Sequence, residues 1–406
     1  MPQRKQRGAL IGSASGILRS TRPTDWRRRQ GDSDRGQAGG DEGDNGEMEP
    51  NESVRKADRV FNVGVVGATG YSGQELVRLL WLHPRVDVKV LTSAADAGKP
   101  VCEVLPALAG AVGEMRFAPP DDESLKDMDV VFFATPAGVC MQAARGLLDA
   151  NVRVVDLSAD FRLLDAAEWE RWYRMKHAAP ELLKKAVYGL PELNRERIPT
   201  SRLVANPGCY PTCVSLGLLP LLKRGAVSSA YLIADCKSGV SGSGRKASLR
   251  NSYCEAADSL SPYGAGGHRH LPEIRQILGR FDPELAQAFI FCPHLAPMSR
   301  GMEASVYFQS DAPLDELDGM LREEYAGHPL VTVLPRGRYP ATAMARASNR
   351  GVLSVEQAPC SGRGRYILFC VIDNLVKGAA GQAVQNMNLM LEFDEFTQLM
   401  ALPASI

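Results

Sequence analysis

From Val60 onward, short apolar runs alternate with segments whose apolar residues recur every three or four positions. This pattern predicts strands that alternate with amphipathic helices. The predicted strands are 62–66, 86–91, 129–134 and 152–157, and the predicted helices are 72–82 and 138–150. Strands that alternate with helices are typical of a parallel sheet with crossover helices. We therefore predict an α/β first domain with a doubly wound sheet.

Beyond about residue 206 the pattern becomes that of an α+β domain with a mixed sheet. A predicted helix at 207–223 and a strand at 230–236 precede a loop rich in glycine and serine. Further strands are predicted near 288–292, 303–308, 330–333, 352–356 and 365–372. The segment 374–391 predicts a helix that returns to the first domain. We assign 60–206 and 374–406 to the first domain and 207–373 to the second, which offers a surface for self-association as a homo-oligomer, a dimer or tetramer.

Residues 1–59 differ from the rest in charge and in apolar content. Residues 1–29 contain eight basic residues and one acid, whereas 30–54 contain eight acids and one arginine. Neither part has apolar periodicity, so we predict a disordered N-terminal extension. An organelle transit peptide, a nucleic-acid-binding tail and an upstream start-codon artefact are the alternatives.

The overall composition excludes several classes of protein. The 406 residues are 45% hydrophobic and 23% charged, which are ordinary globular values. Lysine plus arginine equals aspartate plus glutamate, 47 against 47, so no global field attracts nucleic acid or an anionic membrane. No apolar run approaches the roughly 18 residues of a membrane-spanning helix. Nine cysteines without a C-x-x-C pair predict reduced thiols, a cytoplasmic protein and no metal site.

A glycine-rich turn joins the first predicted strand to the first predicted helix. Gly67, Gly70 and Gly73 allow a tight turn and the close approach of a pyrophosphate to the helix N-terminus. We therefore predict a Rossmann-type dinucleotide-binding domain, and a plain strand–helix turn is the alternative. The loop residues between the glycines that we expect to touch the cofactor are Thr69, Tyr71 and Ser72.

The end of the second predicted strand indicates which dinucleotide binds. It reads Leu-Thr-Ser up to Ser93 and has no carboxylate to bind a ribose 2′-hydroxyl, so we predict NADP(H) rather than NAD. Lys99 is a candidate partner for the 2′-phosphate. Thr135 and Pro136 follow the strand at 129–134 and are predicted to lie beneath the cofactor, with a loop that makes no contact as the alternative.

Cys209 is the candidate nucleophile. The segment 206–212 (NPGCYPT) opens an apolar helix and places Cys209 at its N-terminus. The helix dipole and the free amides there stabilise a thiolate, so we expect a lowered thiol pKa. A packed structural thiol is the alternative, and it is the interpretation that we favour for Cys213.

A thiolate needs a proton partner, and a glycine-rich loop with basic residues can bind an anion. His268 lies in a glycine-flanked loop and is the candidate, with His294 as a rival, whereas His83 and His177 are predicted at the surface. The candidate substrate-binding residues are Asn206, Arg245 in a glycine/serine loop, and Arg300, although surface solvation would explain either arginine.

Eight segments resemble those of the type 1 N-acetyl-gamma-glutamyl-phosphate reductases, an arginine-biosynthesis family related to aspartate-semialdehyde dehydrogenase. They are GATGYSGQEL, DLSADFRL, YGLPELNR, ANPGCYPT, SGVSGSGRK, GHRHLPEI, PMSRGM and IDNLVKGAAGQAVQNMN, in this order from about residue 62. The resemblance implies an NADP-linked acyl-phosphate reductase with Cys209 as the nucleophile and His268 as the acid/base. It also implies that the segment from Asn374 to Asn388 returns to the cofactor domain. Glu392, where glycine is expected, departs from the family pattern.

The resemblance implies a reaction through a cysteine thioester. The Cys209 thiolate expels phosphate from a small acyl-phosphate substrate, the nicotinamide reduces the thioester, and the product aldehyde is released. A lysine-pathway enzyme acting on an aminoadipyl phosphate, one methylene longer, is the close alternative, because one methylene changes binding by only about 1–3 kcal/mol. A non-catalytic NADP-binding regulator is the alternative from another class, but Cys209 and the His268 segment are both present.

Overall fold

The computed structural model describes residues 59–359 and 364–404. The extension predicted at 1–59 lies outside the described residues, except for its last residue. The strands β1 to β13 are Phe61–Val66, Val86–Thr92, Val130–Phe133, Arg153–Asp156, Val187–Tyr188, Leu203–Ala205, Leu232–Gly239, Ser261–Pro262, Ile290–Ala296, Met302–Gln309, Val331–Val333, Gly351–Gln357 and Arg365–Ile372. The α-helices α1 to α11 are Tyr71–Trp81, Val101–Val104, Cys140–Asp149, Ala166–Tyr173, Pro191–Asn194, Cys209–Leu222, Tyr253–Ala256, Leu271–Leu278, Pro283–Ala288, Leu314–Glu324 and Gly381–Met390.

The first sheet is parallel, with the strand order β2-β1-β3-β4-β6-β5. Helices α1 and α11 pack on one face of it, and α3 and α4 on the other. Burial on both faces explains why its strands are nearly continuous apolar runs. The chain leaves β1 for β2 on one side and returns to β3 on the other. The carboxyl ends of β1 and β3 therefore flank the switch point at which such sheets bind ligands.

The second sheet is mixed, with the order β11-β12-β13-β10-β7-β9-β8. The pairs β7–β9 and β11–β12 are parallel, and the other pairs are antiparallel. Apolar side chains from one face of the sheet pack on α6. The predicted α/β plus α+β architecture is confirmed.

The chain returns to the first sheet after β13. Val376–Ala380 is π-helical and leads directly into α11. Val376, Ala383 and Met387 are buried in the same core as β1 and α1. Glu392, just beyond α11, has a φ of 58°, a left-handed conformation that favours glycine. This backbone conformation explains why glycine is expected there.

Within the described residues, none of the helices is both long enough and apolar enough to cross a bilayer.

Candidate active site

Helix α6 has Gly208 as its N-cap and Cys209 as its first residue. All residues from Tyr210 to Leu222 are buried, as expected of a helix that is hydrophobic on every side. Cys209 itself is partly exposed. The first-turn amides of a helix have no partners within the helix. A buried helix therefore begins with a partly exposed cysteine at its positive end.

Two glycines show how closely other groups approach Cys209. A Cβ on Gly378 would lie 2.8 Å from the Cβ of Cys209, and a Cβ on Gly208 would lie 2.5 Å from Nε2 of His270. Real Cβ atoms do not make contacts this short, so a side chain at either position would displace its neighbour. The π-helical segment and the His270 imidazole therefore pack directly against the backbone that carries the thiol.

A buried carboxylate fixes the same backbone from behind. Glu273 Oε1 accepts hydrogen bonds from the Gly208 amide at 2.9 Å and from the Tyr188 hydroxyl at 2.7 Å. The Arg162 guanidinium lies 3.5 Å from Glu273 Oε2 and donates through Nε to the Asn206 carbonyl at 2.8 Å. Because the two charges are buried together, each offsets the desolvation of the other. The Arg162–Glu273 pair thus fixes the backbone of Asn206 and Gly208, on both sides of Pro207.

Sequence reasoning did not include Arg162, Tyr188 or Glu273 among the site residues. They lie in three of the segments that carry the family resemblance, 156–163, 188–195 and 267–274. Each is unremarkable in its own segment, since a single arginine, tyrosine or glutamate is usually solvated. The signal that was available is their position within the segments that carry the resemblance.

The structure contradicts the expectation of a lowered thiol pKa. Burial raises the pKa of Cys209 to about 11. The Tyr210 amide and the Arg162 charge lower this pKa but do not offset burial, and Glu273 raises it. The dipole argument failed because the start of α6 is enclosed by protein. At neutral pH the thiol is protonated and requires a base.

His268 and His270 lie together beside Tyr210. The ring centroids are 4.9 Å apart for the two histidines, and they lie 5.7 Å and 5.9 Å from the Tyr210 ring. His268 Nδ1 accepts the His270 amide at 3.1 Å, so the proton of the neutral ring is on Nε2. Burial lowers the pKa of His268 to about 4 and the pKa of His270 well below its usual value. Both imidazoles are therefore neutral at pH 7.

His294, the rival candidate, lies on the other face of the second sheet. Side chains alternate along a strand, and Phe291 in β9 packs into the core with α6, so His294 points away from that helix. Its Nδ1 lies 3.1 Å from Asp235 Oδ1. The geometry separates His294 from the thiol.

The predicted surface positions of His83 and His177 are wrong. His83 is buried, and its Nε2 lies 3.0 Å from Asn388 Oδ1 on α11. His177 is buried, and its Nε2 lies 2.7 Å from the Asp160 carbonyl oxygen. Helix α4 ends at Tyr173, which lets the following turn fold His177 inward. Both histidines connect elements of the first domain.

The glycine turn forms a bare backbone cradle at the switch point. Gly67 has a φ of 84°, and a Cβ there would lie 2.6 Å from the Ala134 carbonyl oxygen. A Cβ on Gly73 would overlap the Gly67 carbonyl oxygen, and Gly70 is the N-cap of α1. Thr135 Oγ1, beside this turn, is buried without a hydrogen-bond partner among the described residues. Free amides and this hydroxyl fit the phosphates of a dinucleotide.

Charged side chains converge at the end of β2. Ser93 Oγ donates to Asp96 Oδ2 at 3.1 Å, and Lys99 Nζ lies 2.9 Å from Asp96 Oδ1. Arg245 donates to the Thr69 carbonyl at 2.9 Å, so it lies at the glycine turn. The structure thus brings Arg245, predicted to bind substrate, to the predicted cofactor residues Thr69 and Ser93.

Three other predicted cofactor residues border the glycine turn or the Thr135 loop, whereas Asn374 contacts two loops of the second domain. Tyr71 and Ser72 begin α1, and Pro136 is exposed next to Thr135. Asn374, at the end of β13, accepts the Gly301 amide at 2.8 Å. Its side-chain amide therefore joins two loops.

Arg300 and Asn206 are already held by other groups. Arg300 lies 3.2 Å from both Glu75 and Asp373, so two carboxylates balance its charge. Asn206 is buried, and its Nδ2 donates to the Ala379 carbonyl at 3.1 Å. Both residues hold the active-site loops together, and their predicted contacts with substrate stay predictions.

The fold and the site define a semialdehyde dehydrogenase. Residues 62–201 match the family model "Semialdehyde dehydrogenase, NAD binding domain", and residues 209–374 match "Semialdehyde dehydrogenase, dimerisation domain". The fold is similar to aspartate semialdehyde dehydrogenase II of Vibrio cholerae, with a TM-score of 0.63 and 18% identity over 82% of this chain and 99% of that one. A probable aspartate-semialdehyde dehydrogenase from Pseudomonas aeruginosa has a TM-score of 0.61 and 22% identity, over 82% and 99%.

Curated relatives specify the family within this class. The N-acetyl-gamma-glutamyl-phosphate reductase of Halorhodospira halophila is 52% identical over 83% of this chain and 97% of its own length. The proteins of that name from Aromatoleum aromaticum and Neisseria gonorrhoeae are 51% and 52% identical, over 85% and 84% of this chain and 100% and 98% of theirs. The chain belongs to the N-acetyl-gamma-glutamyl-phosphate reductase family, as its sequence motifs indicated.

Proposed function

We propose that the protein reduces N-acetyl-L-glutamyl 5-phosphate to N-acetyl-L-glutamate 5-semialdehyde, with release of phosphate and with NADPH as reductant. The names of relatives at 51–52% identity support this activity. The observation that carries the proposal is the partly exposed Cys209 at the start of buried α6, beside a pair of neutral histidines. We find no observation that favours the aminoadipyl phosphate over this substrate.

Cys209 is the nucleophile of the proposed reaction. Its sulfur attacks the acyl carbon, the bond to phosphate breaks, and a thioester forms while phosphate leaves with the bonding electrons. The first-turn amides of α6 stabilise negative charge on the sulfur. When the dinucleotide is bound with its phosphates at the glycine turn, its nicotinamide would supply the hydride that reduces the thioester carbon. The resulting thiohemiacetal then collapses, which releases the aldehyde and restores Cys209.

Proton transfer falls to the histidine pair. His268 carries its proton on Nε2 in the neutral ring, so it can protonate the oxygen of the reduced thioester. His270 is neutral and contacts Gly208, and its Nδ1 has no hydrogen-bond partner among the described residues, so it is the imidazole that can accept the thiol proton. General acid/base catalysis of this kind contributes about 10²- to 10⁴-fold. His268→Asn is therefore expected to lower kcat by that amount.

NADP preference is proposed to arise at the end of β2. Lys99 and Arg245 lie beside Ser93 and Thr69, where their two positive charges exceed the single negative charge of Asp96, and this suits a ribose 2′-phosphate. Lys99→Gln and Arg245→Gln should raise the KM for NADPH more than the KM for NADH. Lys89→Gln, an exposed lysine in the same strand β2, is the control. Equal losses with both coenzymes would refute this assignment.

Three further features follow the sequence-based expectations. We propose 60–206 with 374–406 as the dinucleotide-binding domain and 207–373 as the catalytic, substrate and association domain of a homo-oligomer. Free thiols at all eight cysteines of the described residues support a reducing compartment such as the cytoplasm. The family match begins at residue 62, so a variant lacking residues 1–59 should keep full activity.

The test of the proposed function is a pair of serine substitutions in one helix. Cys209→Ser should abolish phosphate-dependent reduction of NADP by the semialdehyde, because a serine hydroxyl is a far weaker nucleophile. Cys213→Ser should stay active, since its hydroxyl can still donate to the Cys370 carbonyl that the thiol contacts. Full activity of Cys209→Ser would reject the thioester route. Comparison of the rates on N-acetyl-L-glutamyl 5-phosphate and on the aminoadipyl phosphate determines the acyl chain length of the substrate.

A further inference from the structure

The outer face of the second sheet, the face away from α6, carries a cluster of metal-binding side chains. In the parallel pair β7–β9, Asp235 lies opposite Cys292 and Lys237 lies opposite His294. The intervening Cys236 packs into the core with α6. Because side chains alternate along strands, Asp235, Cys292 and His294 share the outer face. They come from two strands more than fifty positions apart, which is why the sequence alone predicted no metal site.

The three donor atoms are already within reach of one ion. A carboxylate oxygen of Asp235, the Cys292 sulfur and an imidazole nitrogen of His294 all lie within 4.8 Å of one another. Asp235 Oδ1 and His294 Nδ1 are 3.1 Å apart. Both atoms are buried without a hydrogen-bond partner among the described residues. Tetrahedral zinc with bonds of about 2.0–2.3 Å holds its ligands about 3.2–3.8 Å apart, so small side-chain rotations would complete the geometry.

The surrounding charges also suit a divalent cation. Lys237 Nζ lies 3.1 Å from Asp235 Oδ2 and 3.3 Å from Glu303 Oε2. Lys237 thus pairs with Oδ2 of Asp235, so that Oδ1 can bind a metal. With Cys292 ionised, the three anionic groups and the single lysine leave a net charge of about −2, which one divalent ion would neutralise.

We propose that Asp235, Cys292 and His294 form a zinc site, separate from the catalytic thiol. A thiolate, an imidazole and a carboxylate are the donor types of zinc sites, whereas magnesium and calcium prefer oxygen ligands. Three protein ligands leave the fourth tetrahedral position for water. The site would join β7 to β9, whose His294 carbonyl accepts the Tyr210 hydroxyl at 3.1 Å, and so would stiffen the strand that anchors the residue next to Cys209.

The test is metal binding by the full-length protein in a background that lacks the nucleophile Cys209 and the exposed Cys254. Cys209→Ser/Cys254→Ser removes the nucleophile and the exposed Cys254. We expect this background to bind one Zn²⁺ per chain in equilibrium dialysis, and to show a thiolate-to-cobalt charge-transfer band with Co²⁺. Zinc should also slow the alkylation of Cys292, measured by peptide mass spectrometry.

Two further substitutions then test the assigned ligands. Adding Cys292→Ser should remove the cobalt band and weaken zinc binding at least tenfold, and adding Asp235→Asn should weaken it while the band remains. Adding Cys102→Ser, at a partly exposed thiol elsewhere, should change neither. Unchanged zinc affinity after Cys292→Ser, or a cobalt spectrum without the charge-transfer band in the background, would overturn the site. The single variant Cys292→Ser, which keeps Cys209, should still reduce the coenzyme, and this activity shows that the substitution leaves the chain folded.

Discussion

Gly378 is the residue that lets Cys209 occupy its position, because a Cβ there would lie 2.8 Å from the Cβ of Cys209. Gly378→Ala should therefore displace the thiol and lower kcat by about 100-fold, the cost of a displacement of roughly 1 Å at a reacting group. Gly319→Ala is the matched control, since a Cβ there meets nothing within 4 Å and an alanine favours helix α10. Steady-state rates and melting temperatures of both variants check the prediction. Wild-type kcat in Gly378→Ala would contradict it.

The Cys209 thiol itself gives a prediction about pH. Burial raises its pKa to about 11, so the reactive thiolate increases as the pH rises towards that value. The rate of iodoacetamide alkylation at Cys209, followed by peptide mass spectrometry, should still be rising at pH 9 in the protein without substrate. A plateau below pH 8.5, the pKa of an ordinary thiol, would show that the helix terminus outweighs burial.

At the scale of elements, Glu273 connects helix α8 to the start of α6 and to Tyr188 on β5. Glu273→Gln keeps an oxygen that accepts these hydrogen bonds. It removes the negative charge that raises the pKa of Cys209, whereas the Arg162 charge that lowers this pKa remains. We expect alkylation of Cys209 to shift to lower pH. Stability should fall by about 3–5 kcal/mol, because Arg162 becomes a buried unpaired charge.

Glu284→Gln is the control for Glu273→Gln, because Glu284 is exposed in the first turn of α9. It should change neither the alkylation profile nor the urea midpoint. If Glu273→Gln lowers stability without moving the alkylation profile, the carboxylate has a structural role alone.

The sequence pattern predicted the longer strands of the first sheet well, missed its short strands, and placed strand β9 of the second sheet two to four residues too early. Strands such as β1 and β3 are continuous apolar runs because helices cover both faces of the sheet, and their predicted ends were at most two residues from the observed ones. Strands β5 and β6, with two and three residues, are too short to show a period. The charged segment 167–185 continues to look helical beyond Tyr173, but Arg174, with a φ of 56°, ends helix α4 there.

At the scale of the whole molecule, His83 joins the first sheet to the C-terminal helix. Its Nε2 lies 3.0 Å from Asn388 Oδ1, and its Nδ1 accepts the Arg85 amide. Burial lowers its pKa to about 4. His83 is therefore protonated below about pH 6.5 in the unfolded chain but stays neutral in the folded protein down to about pH 4. Its contribution to the free energy of unfolding is fully present above pH 6.5 and is lost as the pH falls towards 4.

His83→Gln should remove this part of the acid sensitivity. Between pH 7 and pH 5, urea unfolding of the wild-type protein should lose about 2 kcal/mol more than the variant. His177→Gln is a buried control from the same domain. Parallel pH dependences in wild-type protein and His83→Gln would contradict the assigned pKa.

The sequence predicted where the glycine turn and the start of helix α6 lie, but it did not predict the electrostatics around them. The glycine turn and the N-terminal position of Cys209 are local features, so the residues next to them reveal them. The pKa of the thiol, the Arg162–Glu273 pair and the burial of His83 depend on residues brought together from distant segments. The same limit explains why Arg245 was expected at the substrate and lies at Thr69.

The central claim is that Cys209 carries the acyl group during turnover. The direct measurement is acid quenching of the protein mixed with N-acetyl-L-glutamyl 5-phosphate and oxidised NADP, followed by peptide mass spectrometry. We predict an N-acetylglutamyl thioester on the peptide that contains Cys209, and none on that peptide in Cys209→Ser. An enzyme that turns over but has unmodified Cys209, with the acyl group on another residue, would contradict the account.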